Sequence, residues 1–104
     1  MEMPESVQLV LDTLVKTYPV EELILFGSRA VGDHEPRSDF DIAVRANAID
    51  RYQFSKIRVE IAEARTLYWV SLVHFDTTPP KLQERIQKQG VTIYDRSKAT
   101  GQFV

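Results

Sequence analysis

The chain of 104 residues, 43% of them hydrophobic, has the size of one compact domain with a small core. Its formal net charge of −2, with Lys and Arg scattered along the chain, speaks against a large RNA or DNA partner, which calls for a basic stripe. The lack of cysteine excludes disulfides and thiolate metal sites, and no apolar run approaches the length of a membrane span.

The N-terminal "MEMPESVQ" is acidic and has no apolar core, so it does not read as a signal peptide. A single cytoplasmic domain over residues 1–104 is expected, with no membrane partner and a polar tail from about 96 to 104 that frays. Residues 4–17 read as an amphipathic helix with Val7, Val10, Leu11 and Leu14 on one face. Pro4 suits its first turn and Pro19 stops it. "ELILF" (22–26) reads as a short buried strand, "RAV" as a short helix, and "DFDIAV" (39–44) as a second strand. Asp50 and Gln53 have capping-box spacing before a helix to about residue 66, with Phe54, Ile57, Ile61 and Ala64 as its inner stripe. "YWVSLVHF" (68–75) is a third strand, rich in aromatic and β-branched residues. Thr78 reads as an N-cap with Pro79 at the first helical position, Leu82 and Ile86 facing inward, and Gly90 just past the helix end as its C′ residue. "VTIY" (91–94) closes the series. The fold class is α/β (α+β): a small mixed sheet of about four strands covered by helices.

Two short motifs carry chemistry. Gly27 and Ser28 follow a buried strand and open a short helix, a place where backbone N–H groups and a hydroxyl meet a phosphate; the alternative is a plain turn with a serine N-cap. Asp39 and Asp41, at i and i+2 on a strand, point to one face with Cα atoms about 6.5–7 Å apart. Their mutual repulsion disfavours the strand, and a divalent cation with oxygen ligands offsets it; the alternative is a solvated strand end.

Taken together, "GS" at 27–28, "RAVGDHEPRS" at 29–38 and "DFD" at 39–41 are more specific than either motif alone. This run resembles the signature of the DNA polymerase β-like nucleotidyltransferase superfamily. The short length and "LILFGSRAVG…SDFDIAV" resemble its minimal nucleotidyltransferases, antitoxin partners of HEPN-domain ribonuclease toxins. The resemblance spans nearly the whole chain and implies a palm fold, Mg²⁺ (one or two ions) held by Asp39 and Asp41, and ATP as substrate. It further implies transfer of AMP to a tyrosine hydroxyl of a cognate HEPN toxin, which is silenced by this adenylylation. Gly27, Ser28, Arg29 and Ser38 are the expected nucleotide contacts, with exposure of Arg29 and a loop-stabilising role of Ser38 as the alternatives.

The chain departs from the pattern at the third carboxylate that the superfamily carries on a later strand. "VSLVH" (70–74) places Ser71 there, and His74 where a further acid stands. Asp76 has the opposite strand parity and replaces the missing ligand only across a bulge or after a turn. Two functions are therefore carried forward: a Mg²⁺-dependent protein adenylyltransferase, and a catalytically impaired fold that neutralises its partner by binding alone. Nothing in the chain supplies the extra helical domain that transfer to a small drug-like acceptor requires. Trp69 reads as either core or partner surface.

Overall fold

The computed structural model describes residues 3–32, 38–64 and 66–98. In chain order the elements are helix α1 (Glu5–Thr17), strand β1 (Glu22–Phe26), helix α2 (Ser28–Val31), strand β2 (Phe40–Arg45), helix α3 (Arg51–Ala62), strand β3 (Val70–His74), a 3₁₀ turn (Phe75–Thr77), helix α4 (Pro80–Gln89) and strand β4 (Val91–Asp95). The four strands form one mixed sheet in the order β3-β2-β1-β4. β1 runs antiparallel to both β2 and β4, while β2 and β3 are parallel, joined through α3. A parallel pair needs such a long crossover, whereas antiparallel neighbours do not.

Strand alternation sorts the side chains. Leu23, Leu25, Phe40, Ile42, Val44, Val70 and Leu72 face one side, where they pack with Val7, Leu11 and Leu14 of α1 and Phe54 and Ile57 of α3. Ile24 and Ala43 face the other side and meet Ile86 of α4 and Phe75, with Phe26 and Leu82 at the margin. A register shift between Leu23 and Ile24 in the β1–β4 pairing lets both Ile93 and Tyr94 join the larger core. Among the described residues, the second face is therefore covered by α4 and Phe75, and the acid end of β2 shares that face by its parity.

Local chemistry explains most element ends. The Asp50–Gln53 pair is a full capping box, with Gln53 N–H donating to Asp50 Oδ1 at 2.7 Å and Asp50 N–H to Gln53 Oε1 at 3.3 Å. The sequence expectation carried α3 to about 66, but its ladder tightens at Ala64, whose N–H bonds Ile61 O, and Thr66 Oγ1 then accepts from Tyr68 N–H. β3 is correspondingly shorter than 68–75. α4 begins one residue later than expected: Thr78 Oγ1 donates to the His74 carbonyl at 2.8 Å, so Pro79 takes the cap and Pro80 the first turn. Residues 99–104, which hold most of the expected fraying tail, lie outside the described residues.

Gly90 caps α4, but for a different reason than the one the sequence suggests. Its φ of −76° is extended, so no left-handed residue is needed there. What excludes a side chain is space: a Cβ at this position would collide with the Ile86 carbonyl oxygen and Ile24 Cγ2. Backbone and a β-branched core side chain have little room to give. Gly90→Ala is expected to keep the fold and lose about 1–3 kcal/mol of unfolding free energy, read as a lower urea midpoint at unchanged slope.

Candidate functional site

The site lies where three strand ends coincide. Antiparallel pairing aligns Phe26, the last residue of β1, with Asp41 on β2, and parallel pairing aligns Asp41 with Ser71 on β3. Residues in register on adjacent strands point to the same face, so Asp41 and Ser71 stand side by side. Asp39, two residues earlier, shares that parity and is exposed; Asp41 is half-buried.

Gly27 is bound into this geometry. It sits at φ 77°, ψ −158°, in the positive-φ region open to glycine. A Cβ on Gly27 would stand 2.5 Å from Asp41 Oδ2. The Asp41 carboxylate thus lies directly over the backbone of the Gly-Ser turn, and two independent constraints select glycine. Ser28 opens α2, where the N–H groups of a first helical turn lack intrahelical acceptors. The carboxylates and this turn share one end of the sheet.

The electrostatics of the acid pair are unfavourable as they stand. Burial pushes the Asp41 carboxyl above its ordinary value of 3.8, and the nearby charge of Asp39 pushes it the same way. Among the described residues no hydrogen bond or ion pair engages the Asp41 carboxylate. A partly desolvated carboxylate thus stands beside a second one, and carboxylate oxygens are ligands of the hard type that divalent cations take.

The other expected site residues divide. Arg29 Nε donates to the Ser38 carbonyl at 2.9 Å, and its guanidinium lies 3.9 Å from the Phe40 ring centroid and 5.3 Å from that of Tyr68. Phe40 belongs to the face opposite Asp41, so this arrangement ties α2 to the start of β2. Ser38 contributes its carbonyl to that tie. Asp76 is not brought to the site. It lies in the 3₁₀ turn after β3, and its Oδ2 accepts from Ala46 N–H at 2.9 Å. Ala46 is five residues along from Asp41, on the order of 16 Å in an extended strand. His74 is likewise at the far end: it stacks on Phe54 at 4.7 Å, and Nε2 is 3.3 Å from Ala46 O while Nδ1 is 3.2 Å from Thr77 Oγ1. Sequence reasoning identified neither this clasp nor the Arg29 stack, because both depend on contacts between distant segments.

Beside the site, β3 is an edge strand, and its approach is apolar. Leu67 is 90% and Trp69 61% exposed. Trp69, Val70, Ser71 and Leu72 line one wall of a surface cavity of about 330 Å³; Arg58, Val59 and Ala62 of α3 line the other.

The family profile described as "Polymerase beta, Nucleotidyltransferase" matches residues 9–99. No curated protein matches the chain. Among solved structures, a toxin–antitoxin crystal structure with AMP-PNP is similar at TM-score 0.69 and 22% identity, over 88% of this chain and 74% of that one. A Sulfolobus solfataricus protein assigned as a nucleotidyltransferase is similar at TM-score 0.65 and 21% identity, over 96% and 84%. A complex of a tri-AMPylated Shewanella oneidensis HEPN toxin with an MNT antitoxin is similar at TM-score 0.59 and 23% identity, over 85% and 71%. At these identities the structures share the fold.

The Asp41 shift has a consequence for stability. Because its folded value is raised, the folded state holds this proton more tightly than the unfolded chain does. Stability of the metal-free protein should therefore fall as pH climbs from about 3.8 through the raised value, and level off above it. Asp41→Asn is expected to remove that fall and raise Tm at pH 7. Melting curves of both proteins from pH 3.5 to 7.5 without divalent cations check this.

Proposed function

The chain belongs to the polymerase β-like nucleotidyltransferase family, and on that premise we propose that it is an antitoxin-type adenylyltransferase that moves AMP from ATP to a tyrosine hydroxyl of a HEPN-domain toxin. The observation that carries this reading is the Asp41 carboxylate: half-buried, beside Asp39, seated over Gly27, and without a cationic partner among the described residues. Such a group is costly in a domain that only packs, and it is what a metal–nucleotide site requires.

Asp39 and Asp41 fit as holders of Mg²⁺. The bound ion would supply charge neutralisation for the triphosphate and its departing pyrophosphate. The residues themselves do the rest. Gly27 lets the Asp41 carboxylate seat against the turn, and Ser28 offers a hydroxyl and first-turn N–H groups there to the phosphates. The acceptor oxygen forms a bond to the α-phosphorus, the bond from that phosphorus to pyrophosphate breaks, and the hydroxyl proton passes to solvent. The Arg29–Phe40–Ser38 tie holds the Gly-Ser turn and the acid pair in mutual register.

A protein acceptor suits the surroundings better than a nucleic acid. The net charge is −2, and the approach along β3 presents Leu67 and Trp69 rather than a basic stripe. The solved toxin–antitoxin structures of the same fold support a HEPN protein as that partner, and the AMPylated toxin among them supports AMP as the group transferred. Ser71 favours a second reading, in which transfer is lost and the domain neutralises its partner by covering it.

The deciding experiment mixes the chain, a cognate HEPN protein, labelled ATP and Mg²⁺. Label and the mass of AMP are expected on a tyrosine of the partner, and their absence with a bound, silenced partner selects the second reading. Asp39→Asn with Asp41→Asn is expected to cut transfer at least about 10²–10³-fold, the loss typical of removing an electrostatic group from a reacting site, while the fold survives. Trp69→Ser is expected to weaken partner binding by about 1–2 kcal/mol, as truncation of an exposed aromatic anchor does, with nucleotide affinity unchanged by calorimetry.

A further inference from the structure

The carboxylate end of the sheet offers its oxygens unevenly. Asp41 stands on β2 against Gly27, Asp39 immediately precedes that strand, and the residue aligned with Asp41 on β3 is Ser71. Among the described residues no group of three or more His, Asp or Glu is gathered anywhere. The acid nearest Ser71 along the chain, Asp76, is held at the other end of the sheet by Ala46 N–H.

Two divalent cations about 3.5–4 Å apart clamp the entering and leaving oxygens in many phosphoryl-transfer sites. They bring four positive charges together, so such a pair needs carboxylates outside the ions as well as between them. A serine hydroxyl supplies an oxygen but no charge, so a second ion beside Ser71 would have no protein carboxylate of its own to offset the repulsion of the first.

We propose that the site takes one divalent cation with its nucleotide, held by Asp39 and Asp41, and that the Ser71 side receives the acceptor hydroxyl without a second cation. This rests on the nucleotide-binding reading above. It divides this end of the sheet into a charged nucleotide side at β1 and β2 and a neutral acceptor side at β3. The acceptor's proton then passes to solvent water, because the hydroxyl of Ser71 is too weak a base to take it at neutral pH.

The test counts ions rather than turnover. The chain is dialysed to equilibrium with Mn²⁺ and α,β-methylene-ATP, whose α–β bridge cannot be cleaved, and bound Mn²⁺ and nucleotide are measured per chain. One Mn²⁺ per bound nucleotide is expected for the native chain and for Ser71→Ala, and two for Ser71→Asp. Two ions in the native protein would overturn this inference while leaving the nucleotide site intact. A ratio that stays at one in a folded Ser71→Asp would overturn it as well, since Ser71 would then not be what withholds the second ion. No nucleotide bound at all would instead sink the underlying reading. Should Ser71→Asp fail to fold, the native count alone decides.

Discussion

Everything at the functional end depends on the register of β2. This strand is central, paired antiparallel to β1 on one side and parallel to β3 on the other. Its odd positions, Asp41 and Ala43, face α4 and the open site; its even positions, Phe40, Ile42 and Val44, face the main core. A slip of one residue would drive Asp41 among Leu11, Leu25 and Phe54 and expose the aliphatic set. The desolvation cost of a buried, unpaired carboxylate makes that alternative untenable. The hydrophobic pattern that folds the sheet is therefore the same constraint that aims the acids, and the site needs no separate device to orient it.

The acids are a liability to the metal-free fold. Asp41 is pushed toward its neutral form by burial and by Asp39, so at neutral pH its charge opposes folding. Gly27 adds a second compromise, a positive-φ residue at the end of a buried strand whose Cα is covered by the Asp41 carboxylate. Neither feature serves packing. On the proposed function, positive charge and a phosphate-bearing ligand offset both, the pattern expected of a site that trades stability for binding.

Local signals were legible in the sequence and non-local ones were not. "ELILF" matches β1 residue for residue, and Asp50 with Gln53 announced the cap of α3, because both rest on interactions within a few residues. Strand parity put Asp39 and Asp41 on one face and the resemblance joined them to the Gly-Ser run, and the register of Phe26, Asp41 and Ser71 brings these strand ends together. Arg29 was expected to contact nucleotide, and a helix-start cation gives no hint that Phe40 and Tyr68 stand under it. Gly90 was legible as the C′ residue that ends α4, and only the packing of Ile24 beneath it reveals a steric role. Asp76 passed as a spare ligand because sequence distance from Ser71 is small, although the chain turns away at Phe75.

The two ends of the β2–β3 pair show why chemistry settles at one of them. At the far end the polar groups close on each other: Asp76 accepts from Ala46, His74 lies between Ala46 O and Thr77 Oγ1 on the ring of Phe54, and Thr78 donates to His74 O. These groups find their partners within the protein, so the clasp ties the strand ends together. At the near end Ser71 stands beside Asp41 across the strand pair and Asp39 precedes β2, and no hydrogen bond or ion pair engages the Asp41 carboxylate among the described residues. The scaffold is thus pinned where it is self-sufficient and left electrostatically incomplete where three strand ends and a Gly-Ser turn converge. A rigid far end is what allows the near end to hold repelling groups in place long enough for a ligand to complete them.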